Sequence, residues 1–240
     1  METKRICMWS GPRNVSTAFM YSFAQREDTQ VVDEPFYAHY LKITGVDHPG
    51  REEILESMEN GALKVIEDLI FTPKQKPVYF IKNMAHHFLE IPDEFLFRLD
   101  NMFLIRNPNE MLPSLIKNIP NPVMLDTAYE LQYHILNKLL EKGIEPIVVD
   151  SKELLLQPEI ILTKLCEKLK IPFDKNMLSW EAGPREEDGI WEKYWYHSVH
   201  KSTGFAAYKQ KEEEVPTHLE GLLTECSNLY EKMYEYALKA

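Results

Sequence analysis

The sequence predicts an α/β fold in three layers: a mainly parallel central sheet with helices on both faces. Short apolar runs rich in β-formers alternate with longer segments whose apolar residues recur at helical spacing. Such alternation implies βαβ units joined by right-handed crossovers. The length, 240 residues with 44% hydrophobic and 27% charged, suffices for one sizeable core. With no internal repeat and no linker-like shift in composition, residues 1–240 are read as a single domain.

Residues 5–9 form a first strand, and residues 15–26 form an amphipathic helix after a turn. Residues 30–33 form a second strand. Residues 51–71 place Ile54, Leu55, Met58, Ala62, Leu63, Ile66, Leu69 and Ile70 at helical spacing and are read as one helix. Val78-Tyr79-Phe80-Ile81, bounded by Pro77, is a strand, and residues 101–105 are another. Asn107-Pro108-Asn109-Glu110 opens a helix, with Asn107 at N-cap, Pro108 at N1 and Glu110 placed to reach back to the cap. Pro113, inside that helix, removes a backbone bond and is expected to kink it. Residues 125–142 form a helix closed by Gly143. Residues 147–149 form a strand, Asp150-x-x-Glu153 begins a helical stretch, and residues 158–170 continue it. An irregular, aromatic-rich region precedes a closing helix over 217–238. In parallel sheets ligands bind beyond the carboxyl ends of the strands. That rule selects residues 10–17, 33–37, 82–87 and 106–114.

Bulk properties narrow the function. With 27 Lys and Arg against 38 Asp and Glu, the formal net charge is −11. Such a chain repels nucleic acid and anionic membranes, so an anionic ligand must be held by a few local cations and backbone N–H groups. No stretch approaches the roughly 18–20 apolar residues of a membrane helix. Met1-Glu2-Thr3-Lys4-Arg5 runs into an apolar segment too short for a signal peptide, so a cytoplasmic location is expected. Cys7, Cys166 and Cys226 are too scattered for a disulfide framework and are expected to be buried thiols. Adjacent His86 and His87 are poorly spaced to chelate one ion, and no metal site is expected.

Ser10-Gly11-Pro12-Arg13-Asn14-Val15-Ser16-Thr17 joins the first strand to the first helix. A turn there aims backbone N–H groups and the helix dipole at one spot that suits a phosphate. Ser16 and Thr17 add hydroxyls and Arg13 adds charge. An ordinary strand-to-helix turn is the plainer reading. The segment is not a Walker A loop: counted from Gly11, that pattern needs Gly, Lys and Ser or Thr at 16, 17 and 18, where the chain has Ser16, Thr17 and Ala18. This points away from an ATPase or kinase and toward a donor that needs no Mg²⁺. Arg106 ends a strand with Ser114 eight positions on, and can grip a phosphate bidentately or stand as a surface Arg beside a helix cap.

In order, the strand, Pro12-Arg13-x-x-Ser16-Thr17 and helix, then the strand and Arg106-Asn107-Pro108-x-Glu110-x-x-x-Ser114, resemble the two donor-binding signatures of sulfotransferases. A third likeness is Leu154-Leu155-Leu156-Gln157-Pro158-Glu159, a helix, and Leu169-Lys170-Ile171-Pro172-Phe173, with Lys170 where the family usually has Gly. The resemblance covers roughly residues 5–175. It implies a P-loop NTPase-like fold and transfer of a sulfuryl group from 3′-phosphoadenosine 5′-phosphosulfate (PAPS) to a hydroxyl or amine of a small-molecule acceptor, leaving adenosine 3′,5′-bisphosphate (PAP).

The resemblance also implies roles. Gly11, Pro12, Arg13, Asn14, Val15, Ser16 and Thr17 would hold the 5′ end of the donor, with Arg13 where the family usually has Lys and Val15 where Gly is common. Arg106 and Ser114 would hold the 3′-phosphate, and a late loop, Lys201-Ser202-Thr203-Gly204, would close over it. The acceptor's proton needs a base: Glu34 is favoured, with His86 of the His86–His87 pair as the other candidate. Lys82 would stabilise the transferring group. Trp191 and Trp195 would line an acceptor pocket or fill a core. A small-molecule kinase and a non-catalytic nucleotide-binding protein are the rival readings, the latter because of Val15, Lys170 and Asn83.

Overall fold

The computed structural model describes residues 3–210 and 213–240; Met1 and Glu2, where the chain-start reading begins, lie outside them. The sheet has five strands: β1 (Lys4–Ser10), β2 (Thr29–Asp33), β3 (Val78–Met84), β4 (Asp100–Ile105) and β5 (Ile147–Asp150). Their order is β2-β3-β1-β4-β5, and every pairing is parallel. All five carboxyl ends therefore lie along one edge. Ser10 aligns with Met84 on one side and Leu104 on the other, so β1 is the point where the strand order changes direction.

Side chains alternate across each strand and divide the core into two layers. Cys7, Trp9, Tyr79, Ile81, Phe103, Ile105 and Val148 face one side; Ile6, Met8, Phe80, Met102, Leu104 and Val149 face the other. The second face is covered by α1 (Ser16–Ala24), through Phe19, Met20 and Phe23, and by a helix at Pro158–Lys168, through Ile161, Leu162, Leu165 and Cys166. Helices at Pro108–Leu115, Tyr129–Glu141 and Glu220–Tyr234 cover the first. This is the three-layer α/β architecture expected. Among the described residues no helix is long and apolar enough to cross a membrane.

Several boundaries differ from the sequence reading. A helix, α2 (Tyr37–Thr44), follows β2 where none was expected. The long helix expected over 51–71 is broken into α3 (Arg51–Ser57), α4 (Ala62–Lys64) and a π-helical Val65–Ile70, because Met58 and Gly61 are extended. After α5 (Pro108–Leu115), the helix expected over 125–142 splits into α6 (Met124–Thr127) and α7 (Tyr129–Glu141) at Ala128, whose φ is +67°. Then come α8 (Ser151–Leu156), α9 (Pro158–Lys168), the single turn α10 (Glu192–Trp195) and α11 (Glu220–Tyr234). Asn107 caps α5 as expected, accepting from the Asn109 amide, but Glu110 turns away from the cap to Tyr208 and Arg106. Pro113 forfeits its own bond without ending α5, which runs on to Leu115.

Two helix ends share one geometry with different residues. After α7 the Gly143 amide bonds to Leu140 and the Ile144 amide to Leu139, with Gly143 at φ +69°. After α9 the Lys170 amide bonds to Glu167 and the Ile171 amide to Cys166, with Lys170 at φ +55°. Both are Schellman turns, which favour glycine because a Cβ strains the left-handed conformation. Lys170→Gly is therefore expected to raise unfolding stability by about 1 kcal/mol, read as an increase in the urea midpoint at constant m-value.

Candidate active site

The segment from 11 to 15 turns sharply between β1 and α1. Gly11 lies beneath the α6–α7 junction, where an added Cβ would come within 3.0 Å of the Thr127 carbonyl. Arg13 is held at φ +53°. Asn14 pins the turn from both ends of its amide: Oδ1 accepts from the Val15 amide at 2.9 Å, and Nδ2 donates to the Leu104 carbonyl on β4 at 3.0 Å. Gln132 of α7 ties β1 to β4 by donating to the Trp9 and Leu104 carbonyls. Ser16 begins α1 and is buried; Pro12 and Thr17 are half-buried on the same turn.

The two predicted donor signatures meet here. Arg13 Nε donates to Ser114 Oγ at 3.0 Å, and the Arg106 guanidinium donates to the Arg13 carbonyl. The Arg106 carbonyl accepts from the Tyr129 hydroxyl, which fixes the end of β4. Burial and then the neighbouring Arg106 charge lower the Arg13 pKa. Two guanidiniums thus stand together with one carboxylate, Glu110, 3.5 Å from Arg106. This donor-rich, net-positive corner in a chain of net charge −11 fits an anionic group such as a phosphate.

The late loop is held against Ser179 and Trp180. Ser202 accepts from Trp180 Nε1 at 3.0 Å and donates to the Val199 carbonyl, the Thr203 carbonyl accepts from the Trp180 amide, and Gly204 pairs with Ser179. Lys201 is exposed. From Gly204 the chain passes Phe205, packed against Phe19 and Trp180, and reaches Tyr208, whose hydroxyl donates to Glu110.

Across β1, the ends of β2 and β3 carry a second constellation. Lys82 is buried and donates to Asp33 Oδ1 at 2.8 Å, Glu34 Oε1 at 2.6 Å and the Tyr196 hydroxyl at 2.8 Å. Burial alone would lower the Lys82 ammonium, but Asp33 and Glu34 hold it well above the lysine range. Burial raises the Glu34 carboxyl to about 7, with Lys82 pulling it down and Asp33 adding to the rise. Glu34 sits just past β2 at φ +41°. His86 and His87 lie in the 3₁₀ turn after β3, where Tyr37 of α2 stacks on His87 and Tyr40 meets His86 edge-on. Burial pushes His86 down to about 3 and holds His87 well below its ordinary value, so both are neutral. A base at neutral pH is better served by Glu34 than by an imidazole shifted that far.

Asp33 and Tyr196 are the residues that sequence reasoning missed. Asp33 adjoins Glu34, but its partner Tyr196 lies 163 positions away in the aromatic-rich segment. Trp191 belongs to the same packing, buried and donating to the Tyr196 hydroxyl at 3.2 Å. The cysteines are buried and free, and burial raises the Cys7 thiol to about 12 and the other two to about 11, which leaves them without thiolate character.

Comparisons with known proteins agree with this architecture. The chain is 43% identical over 223 residues to branched-chain-amino-acid aminotransferase-like protein 2 of Arabidopsis thaliana, a match covering 92% of this chain and 40% of that protein. The chain thus spans about two-fifths of the length of that curated relative. Its fold matches the sulfotransferase domain of the Synechococcus PCC 7002 olefin synthase, with a TM-score of 0.59 at 15% identity over 99% of this chain and 97% of that one. It also matches mouse sulfotransferase SULT7A1, solved with PAP, with a TM-score of 0.50 at 13% identity over 97% and 88% of the two chains. At such identities the solved structures show the shared fold alone. The family model for the sulfotransferase domain matches residues 4–237, and on that near-complete match the chain belongs to the sulfotransferase family.

Proposed function

We propose that this sulfotransferase uses PAPS and transfers its sulfuryl group to a hydroxyl or amine of a small-molecule acceptor. The observation that carries the reading is the meeting of Arg13, Arg106 and Ser114 at the point where the strand order reverses. The turn over Gly11, Pro12, Arg13, Asn14, Val15, Ser16 and Thr17 would hold the 5′ end of the donor. Arg106 and Ser114 would hold the 3′-phosphate, with Lys201, Ser202, Thr203 and Gly204 closing beside it. The mouse neighbour solved with PAP supports the same donor class. Bound there, PAPS supplies a sulfuryl group that the acceptor takes as the bond to the 5′-phosphate oxygen breaks, releasing PAP.

The chain's own residues do the rest. Glu34 takes the acceptor's proton, and its position at the end of β2 places it on the same sheet edge as Arg13. Lys82 holds Glu34 in place and keeps a positive charge near the reacting groups. His86, buried and neutral, packs against Tyr40 and His87. Three buried free thiols suit the reducing cytoplasm, and residues 1–240 act as one domain.

Thermal shift tests the donor. PAP, binding only the folded state, is expected to raise the melting temperature by mass action, ATP with Mg²⁺ is not, and Arg106→Ala should abolish the response. Stabilisation by ATP with Mg²⁺ but not PAP would move the reading to a kinase. PAP binding without transfer to any acceptor in a broad panel would move it to a non-catalytic nucleotide-binding protein.

A further inference from the structure

Four buried groups at the ends of β2 and β3 share their hydrogen bonds unequally. A lysine ammonium has three protons to donate, and Lys82 gives one each to Asp33 Oδ1, Glu34 Oε1 and the Tyr196 hydroxyl. Asp33 collects two further donors on its other oxygen: the Tyr196 hydroxyl at 2.5 Å and the Gly189 amide at 3.4 Å. The Tyr196 hydroxyl is itself saturated, donating to Asp33 while accepting from Lys82 and Trp191. The Glu34 carboxylate, among the described residues, receives a hydrogen bond only from Lys82. Its Oε2 faces His87 Nδ1 at 3.9 Å, beyond hydrogen-bond range, and that nitrogen has no hydrogen-bond partner of its own.

One buried ammonium offsets one buried carboxylate, and this cage holds two. The surplus proton goes where it costs least, to the carboxylate with fewer donors. That carboxylate is Glu34. The other groups facing it do not supply a competing charge: His87 and, behind it, His86 are neutral, and the Tyr37 hydroxyl of α2 is bonded to His48.

We propose that Asp33 and Tyr196 are positioning residues for proton transfer: they occupy two of the three Lys82 protons, so that Glu34 is held through one oxygen while the other is left to take the acceptor's proton. The inference rests on Glu34 as the base. It makes the aromatic-rich segment part of the proton-transfer apparatus, because Tyr196 and Gly189 both come from there.

The two positioning residues act on Glu34 in the same sense, since each keeps a Lys82 proton from it. Asp33→Asn removes a negative charge that favours protonated Glu34 and gives Lys82 wholly to Glu34, so the Glu34 proton affinity falls. Tyr196→Phe frees the Lys82 proton that the hydroxyl accepted and takes a donor from Asp33, so Glu34 gains hold on Lys82 while Asp33 competes better for the surplus proton, and the Glu34 proton affinity falls. A residue with only a packing role would produce no such pair of shifts.

Infrared difference spectra recorded against pH read the carboxyl directly and need no acceptor. In the wild type a protonated-carboxyl band is expected to titrate near neutral pH, and Glu34→Gln should remove it. The midpoint should fall by about one pH unit or more in Asp33→Asn, which also removes a charge, and fall by less in Tyr196→Phe. Midpoints that stay put or rise, or a band that survives Glu34→Gln, would overturn the proposal. Should Asp33→Asn not fold, the sign of the Tyr196→Phe shift decides it, since that change removes one hydroxyl and keeps the ring. Sulfuryl transfer that survives Glu34→Gln sinks the base assignment; transfer lost in Glu34→Gln with unmoved midpoints sinks the positioning assignment alone.

Discussion

Glu34→Gln is expected to lower the rate of sulfuryl transfer by about 10²–10⁴-fold, the usual contribution of a positioned general base, while PAP still stabilises the fold. Glutamine keeps the side chain's length and can still accept from Lys82, so the loss reports the missing proton acceptor. PAP release with an acceptor drawn from a hydroxyl and amine panel measures the rate, and thermal shift measures donor binding. The pH dependence gives a second check. A base works only when ionised, and burial raises Glu34 to about 7. In the wild type kcat/KM should therefore fall about tenfold per pH unit below 7 and level off above it. A variant within a few-fold of wild type, or an acid limb that persists in it, would remove Glu34 from the mechanism.

Lys82→Met is expected to lower unfolding stability by about 3–5 kcal/mol at pH 8, the scale for removing one partner of a buried ion pair. Lys82 is 1% exposed, so water does not screen the loss. Methionine fills the volume but leaves Glu34 without its donor and Asp33 with only Tyr196 and Gly189. The penalty should shrink on acidification. Glu34 is a carboxyl whose folded pKa lies above its unfolded value; its protonated form is the one the fold favours, so stability is retained below the unfolded pKa and lost as pH rises through the folded one. Urea unfolding at pH 6 and pH 8 measures this, and equal or negligible penalties at both would mean that the cage carries no charge.

The strands were legible because each is a short apolar run rich in β-formers, and the meeting of Arg13 with Ser114 because the two signatures follow directly after two of them. The α2 helix was hidden for the opposite reason. Tyr37, Ala38, His39, Tyr40 and Leu41 are all buried, so no polar stripe marks a period. The break in the expected 51–71 helix falls where apolar spacing continues on both sides, and only Asn60-Gly61 interrupts it. Ala128 carries no local signature of the left-handed backbone it adopts. Arg13 and Ser114 could be paired from the sequence through a family likeness. Lys82, Asp33 and Tyr196 could not, because nothing near Tyr196 distinguishes a buried hydrogen-bond donor from one more core aromatic.

The left-handed backbone at Arg13 and Glu34 has a consequence for engineering. Of the five described non-glycine residues with positive φ, two are the residues proposed for donor binding and proton transfer. Each such conformation costs a side-chain-bearing residue about 1–2 kcal/mol, so glycine at either position would relieve backbone strain while deleting the functional group. Selection of variants for heat resistance alone would therefore favour inactive proteins at these two positions, and useful thermostable variants require a screen that scores turnover alongside survival.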